Sequence, residues 1–147
     1  MMEIPGNVLQ GMIRSSVSIG DVFLIEMDET DGITPKDGDT TRNKFFIVLG
    51  FDGMGNAYGG VVINSKINQR MNPIVQQYQM PISCAKYPFL RYNSFVNCIR
   101  LKTAPLAKLT SGKFVGVIDS EDVRLITETV KTSPREREEI LRKFGLI

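Results

Sequence analysis

No histidine occurs among the 147 residues, and this absence removes more chemistry than any single motif supplies. Ser-His-Asp and Cys-His nucleophilic sites, and metal sites built on imidazole, are excluded. Any proton transfer must therefore use a carboxylate, a lysine, a tyrosine, a cysteine or the backbone. Cysteine is nearly as scarce. Cys84 and Cys98 are the only two, and in unlike contexts they read as reduced core thiols rather than a disulfide framework. Long apolar runs are missing too: no window approaches the roughly 18 residues that a membrane helix needs. Residues 1–11 lack a basic segment followed by an apolar one, so no signal peptide is expected and the expected location is cytoplasmic, with no membrane partner. Internal repeats and low-complexity tracts are absent as well.

What is present fits one globular domain spanning residues 1–147. The hydrophobic fraction of 42% is enough for a core. The net charge of +2, from 18 basic and 16 acidic residues, is mild. Its distribution is uneven. Asp28, Glu29, Asp31, Asp37 and Asp39 gather near the N-terminus, whereas Arg42, Lys44, Lys66, Arg70, Lys86 and Arg91 dominate the middle. A basic face in the middle third is compatible with this pattern.

Along the chain, residues 1–18 read as an irregular lead-in. Gly20-Asp21 then opens Val22-Phe23-Leu24-Ile25, an apolar run with the length of a buried strand. Asp31-Gly32, Pro35 and Asp37-Gly38 give residues 29–43 the chemistry of a long loop. Residues 45–49 form a second apolar run, and Asp52-Gly53 with Gly55-Asn56 supplies a turn into a third strand over residues 58–64. The two runs predict a hairpin. Residues 68–79 are polar and weakly patterned. A fourth strand is expected near Ile82, and the alternation over residues 94–101 predicts a fifth. After residues 114–118, Ser120 can cap a helix with Val123, Ile126 and Val130 on one face. Ser133-Pro134-Arg135-Glu136 has the spacing of a capping box with proline at the first helical position. It predicts a last helix from Pro134 to about Lys143, ended by Gly145. Short strands with glycine turns, followed by helices, predict a mainly β fold with C-terminal helices, the sheet curled or closed into a small barrel.

Few groups carry obvious chemistry. The carboxylates at positions 28–39 could hold Ca²⁺ or Mg²⁺ but lack the EF-hand spacing, and they read better as a solvated turn-rich loop. No metal or cofactor is expected. Five glycines over residues 50–60 match neither a P-loop nor a dinucleotide fingerprint and read as a hairpin turn. Cys98, flanked by apolar residues and lacking a histidine base, reads as a packed core cysteine, and Cys84 likewise. Arg42 is different, because it stands where a long polar loop enters a strand. A guanidinium there can face a phosphate and donate two parallel hydrogen bonds. Ser65, next to Asn64 and Lys66, ends the third strand. If the second and third strands pair, Arg42 and Ser65 lie near one end of the sheet.

The strings that carry these residues resemble the MazF/PemK-type toxins of toxin-antitoxin systems. The likeness rests on Gly20-Asp21-Val22-Phe23-Leu24-Ile25, a loop, Arg42-Asn43-Lys44-Phe45-Phe46-Ile47-Val48-Leu49, Gly60-Val61-Val62-Ile63-Asn64-Ser65, and Ser94-Phe95-Val96-Asn97-Cys98-Ile99. It covers about residues 19–131. The basic entry to the second strand lacks the family's usual proline, and residues 69–92 stand as an insertion. The resemblance implies an SH3-like small barrel of the MazF/PemK/CcdB type over residues 19–131, with a C-terminal helix over residues 133–147. It also implies a homodimer that cleaves single-stranded RNA without a metal and is neutralised by an antitoxin protein. Carried over, Arg42 and Ser65 become the catalytic pair. Arg42 would stabilise charge on the phosphate as a ribose 2′-hydroxyl attacks, and Ser65 would orient that phosphate. Lys44, Lys66 and Arg70 are the expected RNA contacts, and residues 29–41 a movable flap. A non-catalytic SH3-like module that binds a protein or nucleic acid is the alternative.

Overall fold

In the computed structural model, residues 17–28, 41–67 and 69–147 are described. The lead-in up to residue 16 and the acidic loop at 29–40 lie outside them. Among the described residues, seven strands form one antiparallel sheet: β1 (Asp21–Asp28), β2 (Thr41–Phe51), β3 (Ala57–Asn64), β4 (Gln79–Ile82), β5 (Ser94–Asn97), β6 (Lys102–Pro105) and β7 (Lys113–Val117). Helix α1 (Pro73–Gln77) precedes β4, and α2 (Leu106–Ser111) separates β6 from β7. Helices α3 (Ser120–Lys131) and α4 (Glu138–Lys143) close the chain.

The predicted hairpin is the centre of the sheet. β2 pairs with β3 in a register that sets Phe45 opposite Ile63 and Ile47 opposite Val61, with an irregularity between Val48 and Gly50. Asp52 anchors the turn by accepting the backbone N–H of Asn56, and Gly55 adopts φ +69. β1 pairs with the outer side of β2 and then with β7. The other edge of β3 is divided: Ala57–Gly60 pair with β6, whereas Ile63 and Asn64 pair with β5. β4 and β7 end the path and do not pair with each other among the described residues. The mainly β class therefore holds, but the sheet is open where a closed barrel was expected.

Both faces of the sheet are covered. On one, Val22, Ile47, Leu49, Val61 and Ile63 pack with Ile126, Val130, Leu141 and Phe144 from the last two helices. On the other, Phe23, Ile25, Phe46, Val48 and Val62 pack with Leu106 and Leu109 of α2. Burial on two faces explains why β2 reads as a continuous apolar run instead of alternating. Close approach explains two of the hairpin glycines. A Cβ on Gly59 would stand 2.6 Å from the Phe144 ring, and one on Gly50 would stand 2.1 Å from the Phe144 carbonyl oxygen. These glycines are the seat of the C-terminal segment as well as part of a turn.

Three local expectations are corrected. The alternation over residues 94–101 is not one strand: β5 stops at Asn97, whose side chain accepts the N–H of Ile99 and turns the chain toward β6. The last helix begins at Glu138, not Pro134. The capping-box residues are used in tertiary contacts instead. Ser133 Oγ donates to the carbonyl of Ile99, and Glu136 Oε2 accepts the N–H of Leu101 at 2.6 Å. Asp119, not Ser120, caps α3, accepting the N–H of Asp122 at 2.8 Å. Gly145, with φ +80, ends α4 as expected.

Candidate nucleic-acid groove

Where β3 is shared between β5 and β6, the start of β2 and the end of β3 frame a groove of about 830 Å³. Arg42 to Phe45 supply one wall and Val62 to Ile67 another. Gln69 and Met71 follow, and Leu90 to Tyr92, Ser94, Asn97 and Lys102 complete the lining. These elements meet because the β2–β3 register, extended past Phe45–Ile63, brings Lys44 opposite Asn64. The Lys44 Nζ donates to Asn64 Oδ1 across that pair. Lys44 is only 8% exposed, so its aliphatic stem lies against the sheet while its ammonium reaches a polar partner.

Among the described residues, five cations line the groove (Arg42, Lys44, Lys66, Arg91 and Lys102) and no aspartate or glutamate does. Side-chain amides and hydroxyls from Asn43, Ser65, Ser94 and Asn97 add hydrogen-bonding capacity. Tyr92 is 63% exposed on the same lining. Cations that converge on one groove raise the local concentration of an anionic ligand, and most strongly that of a polyanion. Aromatic rings on a basic groove are the further component of single-strand binding surfaces.

Arg42, Ser65, Lys44 and Lys66, all singled out from the sequence, line this one groove. Arg70, the fifth, is exposed and is not among the lining residues. The third strand ends at Asn64, so Ser65 lies just beyond the ladder. On β2, Lys44 and Phe46 alternate with Phe45 and Ile47, and Arg42 continues the Lys44 side. The strand residue that meets that side is therefore Asn64, through Lys44. Sequence reasoning did not single out Tyr92, Asn97 or Lys102, and it did not assign Arg91 to a site. One signal was available: residues 53–118 contain no Asp or Glu and eight Lys or Arg.

Among the described residues, the remaining sequence candidates carry no site. Lys86, counted in the basic middle, is neutralised by Asp119 at 2.5 Å and Asp122 at 2.9 Å. Hydrogen bonds that Lys86 donates to Asp119 and then Asp122 raise its pKa, and the Lys86 ammonium holds the Asp119 carboxyl below the usual carboxylate range. Tyr87 donates to Asp122, and burial followed by that hydrogen bond pushes its phenol up to about 12. Cys98 is fully buried, its thiol pushed up to about 12 by burial alone, which is the behaviour of a core cysteine. Both cysteines are free thiols, and Cys84 is half-buried. No group of acids and cysteines among the described residues is arranged to hold a metal ion. The acidic loop expected as a metal-binding candidate or flap lies outside the described residues. Among the described residues, no helix is long and apolar enough to cross a membrane. Compared with protein-family models and with curated proteins, the sequence matches none.

Proposed function

We propose that this chain binds single-stranded RNA in the groove and cleaves it without a metal, as a toxin-type endoribonuclease similar to the MazF/PemK proteins. The observation that carries the reading is the set of five cations lining one groove, with no acid among the described lining residues. In this reading the sheet is a variant of the SH3-like barrel. The active species is a cytoplasmic homodimer, and an antitoxin protein blocks the groove.

The chemistry needs little from the protein beyond charge and position. The ribose 2′-oxygen attacks the adjacent phosphorus, forming the O2′–P bond as the P–O5′ bond breaks. The 2′ proton passes to water, and the departing 5′ oxygen takes a proton from water. The products are a 2′,3′-cyclic phosphate and a 5′-hydroxyl. Arg42 stabilises the charge that builds on the phosphoryl oxygens, with Lys44 and Lys66 beside it, and the Ser65 hydroxyl orients one of those oxygens by donating to it. Removing one such preorganised donor costs about 10²–10³ in rate.

One observation favours a second reading. No carboxylate among the described residues, and no histidine, is present in the groove to act as a general base. A groove of this composition binds a phosphate backbone without needing to cleave it. Incubating the protein with single-stranded RNA in the presence of a chelator separates the two. Cleavage that falls about 100-fold or more in Arg42→Ala supports the nuclease. RNA that is bound but stays intact supports the binding module. RNA that is neither bound nor cut overturns both.

A further inference from the structure

We propose that Tyr92 is a stacking platform for an unpaired base, so that the groove selects single-stranded RNA by base contact as well as by charge; this rests on the groove being an RNA seat. Tyr92 presents an exposed ring beside Arg91 on the groove lining. The ring contacts among the described residues join Phe23 to Phe114, Phe45 to Phe89, Phe51 to Tyr58 and Tyr87 to Phe89, and Tyr92 takes part in none of them. A large aromatic kept out of the core on a cationic wall has a π-face available to a ligand.

The backbone under the ring is fixed. Ser94 Oγ donates to the Tyr92 carbonyl at 2.7 Å, and Asn93 Oδ1 accepts the N–H of Cys84 at 3.0 Å. On the other side the Leu90 N–H donates to the Tyr87 carbonyl at 3.0 Å. Leu90 and Tyr87 are both buried, and Tyr87 is tied to α3 through Asp122. Residues 83–93 therefore form a braced loop with one exposed ring. A pre-positioned ring loses little conformational entropy when a base stacks on it. Base–aromatic stacking tolerates any base identity but needs the base to be out of a duplex. The segment that resembles an insertion in the sequence acquires a role in this way: it adds a base-reading wall to a backbone-reading groove.

The test uses the full chain and three labelled probes of about 12 nucleotides. These are oligouridine RNA, oligodeoxyuridine, and an abasic tetrahydrofuran phosphodiester of equal length. The last two lack a 2′-hydroxyl and cannot be cut by the chemistry above. The expected result is that the parent binds oligodeoxyuridine about tenfold more tightly than the abasic probe. Tyr92→Ala should lose that preference while keeping its affinity for the abasic probe, and Tyr92→Phe should retain it. Equal binding of base-containing and abasic probes by the parent would overturn the stacking role and leave the groove reading standing. Loss of the preference in Tyr92→Phe as well as Tyr92→Ala would also overturn it, since the hydroxyl rather than the ring face would be responsible. Failure of the parent to bind any of the three probes would overturn the groove reading, and the stacking role with it.

Discussion

The groove and the helical side of the molecule use the same residue types in opposite ways. On the helical side most cations have an acid beside them. Arg124 pairs with Glu121, Lys131 with Glu128, Arg142 with Glu138 and Arg137 with Glu139, while Lys86 sits between Asp119 and Asp122. In the groove, Arg42, Lys44, Lys66, Arg91 and Lys102 converge with no acid among the described lining residues. A net charge of +2 thus does not reveal that five cations share one groove lining. The sum of charges is a poor guide to partners when acids and bases are segregated along the chain.

If the helical side serves the fold and the groove serves binding, the largest separable effect lies at Phe144. Its ring is 2% exposed and rests on Gly59. Phe144→Ala should destabilise the protein by about 3–5 kcal/mol in urea unfolding. RNA affinity measured well below the melting temperature should stay near that of the parent. A large loss of affinity in a folded Phe144→Ala protein would break the division.

A smaller effect is expected at the Lys86 cluster. The folded-state pKa of Asp119 is lowered, so its contribution is present above the ordinary aspartate range and disappears as pH falls through that range and below. The folded-state pKa of Lys86 is raised, so its contribution is present below the ordinary lysine range and disappears only at strongly alkaline pH. Both act together from about pH 5 to 9. The difference in melting temperature between the parent and Asp119→Asn should therefore be constant across that window and shrink by about pH 3. A difference that grows on acidification would contradict the assigned pairing. The smallest effect belongs to the exposed helix pairs. Arg124→Ala combined with Arg142→Ala should leave both RNA affinity and melting temperature almost unchanged, because exposed pairs are screened by solvent.

What the sequence revealed follows the range of the forces involved. The β2–β3 hairpin was legible because its apolar runs and the Asp52-Gly53 and Gly55-Asn56 turn are local signals. Helix α3 was legible from the spacing of Ile126 and Val130, both buried in the structure. The capping box at Ser133 misled because its side chains bond to Ile99 and Leu101, more than 30 residues away in sequence. The break between β5 and β6 was hidden for the related reason that Asn97 turns the chain while apolar residues continue past it. Helices α1 and α2 have five and six residues, too few for a periodic pattern to stand out. Arg42 and Ser65 could be singled out because both flank a recognisable strand. Tyr92 and Lys102 could not, since their place on the groove depends on how β3 divides its outer edge between two strands.

If segregated cations make a seat for a single-stranded phosphate backbone, RNA binding must depend steeply on salt. Oligouridine affinity should be measured by fluorescence anisotropy from about 50 to 200 mM salt, for the parent and for Arg42→Ala combined with Lys66→Ala. For the parent, log affinity should fall linearly with log salt with a slope of roughly −3, reflecting about 0.7 per neutralised phosphate. The double variant should bind more weakly, with a slope shallower by about 1.4. Absence of binding by the parent at the lowest salt, or an identical slope in the double variant, would contradict the account.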